Sequence, residues 1–181
     1  LGALADMTDE IQTAIDELAE TGGTVALAAG IYGISRTINL RPGVVLLGAG
    51  KKATTIRAAY GHKLVTDWDN VYFAKRAFDQ IRWAADWKPH YAKDKNAALI
   101  RIFDDSGIEE LRLELGGGAN IGVLLGNNCE RSIHGAFLNY VDVDGGATNS
   151  YGNDYDYGAM SAGLLSVGSN DELTLFKSCF T

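Results

Sequence analysis

Proline is nearly absent from this chain, at 2 of 181 residues, and cysteine is equally scarce. Cys129 and Cys179 cannot form a disulfide framework; a single bridge between them stays open, and with it the redox compartment. Nowhere do about 18 apolar residues run together, so no membrane insertion is expected, and no cleavable signal segment is visible. Cations are in deficit: 16 Lys and Arg face 23 Asp and Glu, a net charge of −7. That balance argues against nucleic acid as a partner, because phosphate binding needs clustered Lys and Arg. It suits plain solubility, with a part in cation binding as the alternative. His62, His90 and His134 are scattered, without the spacing of a zinc site. A serine nucleophile elbow and a phosphate-binding glycine loop are also missing, so neither a metal nor a cofactor is expected.

What the chain has in quantity is glycine, 22 residues placed between apolar runs rather than in one tract. That distribution suits many short strands joined by tight turns, in one domain with a sizeable core. A helix comes first. Thr8 is expected as its N-cap, with Asp9 and Glu10 in the first turn. Ile11, Ala14, Ile15 and Leu18 recur at helical spacing, and Gly22-Gly23 closes a helix over 8–21. Then come Thr24-Val-Ala-Leu27, Gly30-Ile-Tyr32, Thr37-Ile-Asn-Leu40, Gly43-Val-Val-Leu-Leu-Gly-Ala-Gly50 and Thr54-Thr-Ile-Arg57.

This arrangement over residues 6–58 resembles the entry to a right-handed parallel β-helix of the pectate-lyase superfamily, as found in phage tailspikes and extracellular polysaccharide-active enzymes. The resemblance implies an all-β solenoid whose N-terminal helix covers the open end of the stack, where a sheet edge is otherwise exposed. It also implies long glycans as ligands and, for the tailspike type, a homotrimer. Residues 97–181 support it only through general repetition of strands and turns. The end, Lys177-Ser-Cys-Phe-Thr181, falls within a strand-like pattern. Solenoids need caps, so the single domain 1–181 is expected to be truncated at its C-terminus.

Spacing suggests where coils widen. Leu111-Arg-Leu113, Ile133 and Leu173-Thr-Leu175 form one series, with 22 residues from Leu111 to Ile133 and 40 from Ile133 to Leu173. A partner series, Leu99-Ile100, Val123-Leu124 and Leu164-Leu165, is spaced by 24 and then 41. Both predict an insertion of about 18 residues, assigned to 142–159. A larger insertion at 60–96 falls at the same junction two coils earlier, and Gly116-Gly-Gly-Ala-Asn120 crosses it between them. Two walls about 10 Å apart over a glycine floor would form a groove as wide as a sugar chain.

Within the first insertion, residues 70–87 are expected to be helical, with Val71, Ala74, Phe78, Ile81 and Ala85 on the core face. Tyr72, Arg76, Trp83 and Trp87 share the opposite face. With Asn120 of the floor, they are the candidate substrate-binding residues, since flat rings cover pyranose C–H faces and polar neighbours meet hydroxyls. The same face equally suits packing on a neighbouring subunit or a second loop. The second insertion carries Asp142, Asp144, Asp154 and Asp156, the candidate catalytic carboxylates for acid, base or nucleophile roles in glycoside cleavage. A solvated acidic loop is the plainer alternative. The pair Asp104-Asp105 is better explained as a turn, because the Gly-His-Gly and Arg-Ile-Lys companions of polygalacturonase-type enzymes are missing.

The expectation is thus an all-β, right-handed parallel β-helix with a capping helix and one helical insertion. The resemblance implies a tailspike or tail-fibre receptor-binding domain, located in the virion tail, that recognises a host surface polysaccharide; whether it depolymerises that polymer stays open. The alternatives are a secreted polysaccharide lyase, hydrolase or epimerase, and a structural spike shaft.

Overall fold

Strands form where apolar side chains alternate with polar or small ones, and corners form where glycine or a short polar pair interrupts them. A computed structural model describes residues 4–59, 98–115, 119, 121–125, 133–144, 162–166 and 173–180. Its first coil holds β1 (Gly23–Ala26), β2 (Gly30–Ile34) and β3 (Ile38–Asn39). The second holds β4 (Val44–Leu47), β5 (Thr54–Ala58) and β6 (Ala98–Ile102), and the third β7 (Gly107–Glu109), β8 (Arg112–Glu114) and β9 (Ile121–Leu125). The fourth holds β10 (Phe137–Asn139), β11 (Asp142–Asp144) and β12 (Ala162–Ser166), followed by β13 (Thr174–Phe176) and β14 (Cys179–Phe180).

The chain visits three sheets in strict rotation. They run β1-β4-β7-β10-β13, β2-β5-β8-β11-β14 and β3-β6-β9-β12, and every pair among the described strands is parallel. With one helix among the described residues, the architecture is all-β and compatible with a parallel β-helix. Equivalent residues stack: Leu46, Ile108, Leu138 and Leu175 in the first sheet, Ile56, Leu113, Val143 and Phe180 in the second, Ile38, Ile100, Val123 and Leu164 in the third. Most members of these rows are fully buried and share one hydrophobic core, each contributing about 1.5–3 kcal/mol. β6 and β9 are buried along their whole length, as expected of near-continuous apolar strands. Gly122 lets the second and third sheets approach, since a Cβ there would lie 2.3 Å from Val143 Cγ1 and 2.6 Å from the Gly163 carbonyl.

These registers revise the expected coil. Leu113 stacks on Val143 and Ile108 on Leu138, 30 residues on, so Ile133 is not the partner of Leu111-Arg-Leu113. Ile133 is fully buried but lies before β10, and burial alone does not separate a buried corner from a strand. The partner series fares better: Val123 pairs with Leu164, 41 residues on, and with Ile100 after 23 rather than 24. Residues 126–136 join β9 to β10 where 103–106 join β6 to β7, and 145–161 join β11 to β12 where 115–120 join β8 to β9. The 18 extra residues are therefore divided, seven at one corner and eleven at the other. Asp142 and Asp144 belong to β11, not to a loop, because Val143 between them is buried in the core row.

At the N-terminal end, α1 (Thr8–Asp16) buries Ile11 and Ile15 against the core and is followed by turns to Gly22, which is at φ 67° and donates to Leu18 O at 2.8 Å. The helix is shorter than the expected 8–21, and its N-cap is Met7 rather than Thr8. Asp6 Oδ1 instead accepts the Thr8 N–H at 3.0 Å, and Thr8 Oγ1 accepts from Ser35 N at 2.8 Å. The exposed edges of the first coil are closed individually. Met7 N donates to Gly33 O at 2.9 Å on the β2 edge. On β3, Gln12 Nε2 donates to Asn39 O and Gln12 Oε1 accepts from Asn39 N, both at 2.9 Å. A side-chain amide here takes the place of the missing strand. Arg41 and Gln12 both donate to Asp16 Oδ1, at 2.7 and 3.0 Å. Burial works to raise the Asp16 pKa, but these hydrogen bonds and the Arg41 charge outweigh it and hold the carboxyl below its ordinary value.

Gln12→Ala removes both bonds to Asn39, and each is worth about 0.5–1.5 kcal/mol. The expected outcome is a loss of about 1–3 kcal/mol in urea unfolding, with Gln12→Glu losing at least as much, because its carboxylate would face Asp16 and the Asn39 carbonyl. Wild-type stability in Gln12→Ala would contradict an edge-closing role.

Candidate functional site

Outward-facing positions of the second sheet carry the densest group of charges among the described residues. Register alone assembles it. Thr55, Arg112, Asp142 and Cys179 occupy one row, and Arg57, Glu114 and Asp144 the next. Because side chains alternate along a strand, Arg112 and Glu114 share the outer face of β8, as Asp142 and Asp144 share that of β11. Leu113 and Val143 between them point into the core rows.

The charges interlock across coils. Lys51 Nζ, from the wide corner between β4 and β5, reaches Asp142 Oδ1 at 2.9 Å. Arg57 Nη1 lies 3.6 Å from Glu114 Oε2, Arg112 Nε lies 3.4 Å from Glu114 Oε1, and Arg112 Nη2 pairs with Asp144. The 3.4 Å approach is an ion pair without hydrogen-bond geometry, so the buried Arg112 Nε makes no hydrogen bond. Side chains here are 30–39% exposed, which places the ladder at the surface, and such pairs contribute about 0–1 kcal/mol each. Three cations and three carboxylates balance, and Arg112 separates two carboxylates on adjacent rungs about 4.8 Å apart.

The ladder also stands beside the corner where the chain widens most. Residues 59–97, 115–120 and 145–161 each leave a second-sheet strand and return in the third sheet. Glu114 and Asp144 are the last residues of β8 and β11 before that corner. Of the residues expected to act on substrate, Asp142 and Asp144 are therefore brought together with Lys51, Arg112 and Glu114. Tyr72, Arg76, Trp83, Trp87, Asn120, Asp154 and Asp156 lie outside the described residues, as does the expected helix over 70–87. Arg57, Arg112 and Glu114 were missed from sequence. The signal was the alternation Arg112-Leu-Glu114, but placing it against Arg57 requires a register that crosses residues 59–97.

Asp104-Asp105 lies in the turn between β6 and β7, as expected. Asp105 sits at φ 49° and donates its N–H to His134 O at 2.8 Å, while Asp104 Oδ1 accepts the His134 N–H at 3.0 Å. Gly48-Ala-Gly50 is also a turn: Gly48 N and Gly50 N donate to Glu109 O and Glu110 O, both at 2.8 Å. Arg101 is buried in the third sheet with its guanidinium 5.0 Å from the Phe103 ring, and burial lowers its pKa. Cys179 is free and exposed, and Cys129 lies outside the described residues. Among the described residues no group of His, Cys, Asp and Glu is placed to hold a metal, and no helix is long and apolar enough to cross a membrane.

Parallel sheets visited in rotation, with a charged outer ladder, define the class as a parallel-sheet protein of β-helical pattern. Residues 3–84 match the family described as Rhamnogalacturonase A/epimerase, pectate lyase-like, so the N-terminal part of the chain is similar to that family. Comparison with curated proteins and with solved structures returned no match.

Arg112→Ala leaves Glu114 and Asp144 facing each other on neighbouring rungs, where like charges repel. The expected loss is about 1–2 kcal/mol at pH 7, and Glu114→Gln in the same chain should restore part of it. A double variant no more stable than Arg112→Ala would show that the pairing does not hold the coils.

Proposed function

We propose that this protein is the polysaccharide-recognising domain of a phage tailspike or tail fibre, a right-handed parallel β-helix closed around its core and working as a homotrimer on the virion tail. The observation that carries the reading is the match of residues 3–84 to a pectate lyase-like family, joined to three parallel sheets used in rotation. A long, regular outer surface suits a long, regular polymer, and rungs about 4.8 Å apart offer repeated contacts to it. Recognition is favoured over cleavage at the ladder because Asp142 and Asp144 are already paired with Lys51 and Arg112.

A second reading, a secreted polysaccharide lyase, hydrolase or epimerase, is favoured by the family description itself, which names an enzyme. In it Glu114 and Asp144, on adjacent strands, supply the carboxylate pair that glycoside cleavage requires, with Asp142 beside them. Asp154 and Asp156 remain candidates for the same roles.

The test is incubation with bacterial surface and plant polysaccharides, following binding by calorimetry and polymer mass by light scattering. The proposal predicts binding to at least one polymer with its mass unchanged. A fall in mass would favour the enzyme, with new ultraviolet absorbance marking a lyase. Asp142→Asn, Asp144→Asn, Asp154→Asn and Asp156→Asn would then identify an acid or nucleophile by a rate loss of about 100-fold or more. Binding to none of the panel would contradict both readings.

A further inference from the structure

The outer side of the first sheet carries a strip of different chemistry. Glu109, Asn139 and Phe176 stack in register on β7, β10 and β13. Asn139 Nδ2 donates to Glu109 Oε1 at 2.7 Å, which fixes the amide and turns the carboxylate toward it. The next residues, Glu110, Tyr140 and Lys177, sit at φ 52°, 53° and 48°. Left-handed backbone is unfavourable for a non-glycine residue, and here it recurs at one corner of three successive coils. At this corner Tyr140 meets Phe176 edge to face, with centroids 5.4 Å apart and planes at 78°. The Lys177 ammonium lies 5.2 Å from the Tyr140 ring and 5.3 Å from the Phe176 ring.

Phe176 is exposed, as Leu175 and Phe180 of the last described strands also are, and it is the register with Asn139 and Glu109 that puts its ring on the outer face. An isolated exposed apolar side chain needs no explanation, but this one is held against a second ring, with an ammonium beside it, an amide on the next rung and a carboxylate one rung beyond. That combination matches a pyranose. An aromatic ring covers the apolar C–H face, while acceptors and a donor at its rim meet the hydroxyls. No described residue bonds to Asn139 Oδ1, and Glu109 uses only Oε1 toward Asn139, so both retain acceptors.

We propose that this strip is a sugar-binding subsite, separate from the ionic ladder of the second sheet. A pyranose unit stacks on Phe176, gives a hydroxyl hydrogen bond to Asn139 Oδ1 and accepts one from Lys177, while the Glu109 carboxylate, two rungs from Phe176, meets a hydroxyl of the next unit along the polymer. A polymer lying along the stack then crosses successive rungs of the first sheet, and an acidic sugar gains a charge partner in Lys177. This inference rests on the polysaccharide reading above.

The test uses the polymer that the wild type binds in the panel, with affinity by calorimetry, thermal melting as the fold control and light scattering for the assembly. Phe176→Ala is expected to weaken binding about ten-fold or more, and Phe176→Tyr, which keeps the ring, to stay within about three-fold. Asn139→Ala, which leaves every ring in place, is expected to lose about three-fold or more. Wild-type affinity in Phe176→Ala and Asn139→Ala would overturn the subsite while leaving polysaccharide recognition intact. A change of oligomeric state in Phe176→Ala would overturn it too, by showing that the strip is a protein contact. Failure of the wild type to bind any polymer would remove both proposals together.

Discussion

Each strand in a parallel stack hydrogen-bonds only to the coil before it and the coil after it. A residue added inside a strand would turn every following side chain to the opposite face, so register tolerates no internal length change. Length can vary only at corners, and the described coils obey this. Residues 59–97 separate β5 from β6, yet Ile38 still stacks on Ile100 and Ile56 on Leu113. The fourth coil divides its extra residues between two corners and keeps Val123 on Leu164. The same constraint makes the first coil vulnerable, since no described coil lies beneath its strands. Met7 and Gln12 meet that need with single backbone or side-chain groups placed where a strand would have bonded.

Register also builds the surface. The ladder of Arg57, Arg112, Glu114, Asp142 and Asp144 exists because residues far apart in sequence fall on adjacent rungs of one face. The strip of Glu109, Asn139 and Phe176 arises in the same way on another face. One is balanced charge, the other aromatic and amide, and both run along the stack. A polymer with a repeating unit can follow such surfaces, whereas a compact ligand would touch only one or two rungs.

Much of this was legible in the sequence, for physical reasons that can be named. Ile11 and Ile15 at helical spacing marked the covering helix, whereas Gly22 closes the turns that follow it and the helix itself ends at Asp16. Leu164-Leu165 could be aligned with Val123-Leu124 because both belong to strands of one apolar sheet. Ile133 misled because a buried corner is as hydrophobic as a buried strand, and that error carried Asp142 and Asp144 into a loop. Thr8 misled as a cap because Asp6, two residues earlier, reaches its N–H. The ladder stayed hidden because Arg112 and Glu114 gain meaning only beside Arg57, and no local pattern announces that neighbour across residues 59–97. Phe176 was not singled out in the sequence, because only its row with Asn139 and Glu109 shows that it faces outward.

The register across residues 59–97 can be measured directly. In a chain carrying Cys129→Ser and Cys179→Ser, Thr55→Cys would be paired with either Arg112→Cys or Glu114→Cys, oxidised, and read by peptide mass. In-register rungs lie about 4.8 Å apart, within the span of a disulfide, and a position two residues further along does not match. Rapid, near-complete closure of the 55–112 pair is expected, with little of the 55–114 pair. Preferential closure of 55–114, or of neither, would contradict the stacking that sets Lys51 and Arg57 against the later rungs of the ladder, and with it the continuous stack on which the proposed function depends.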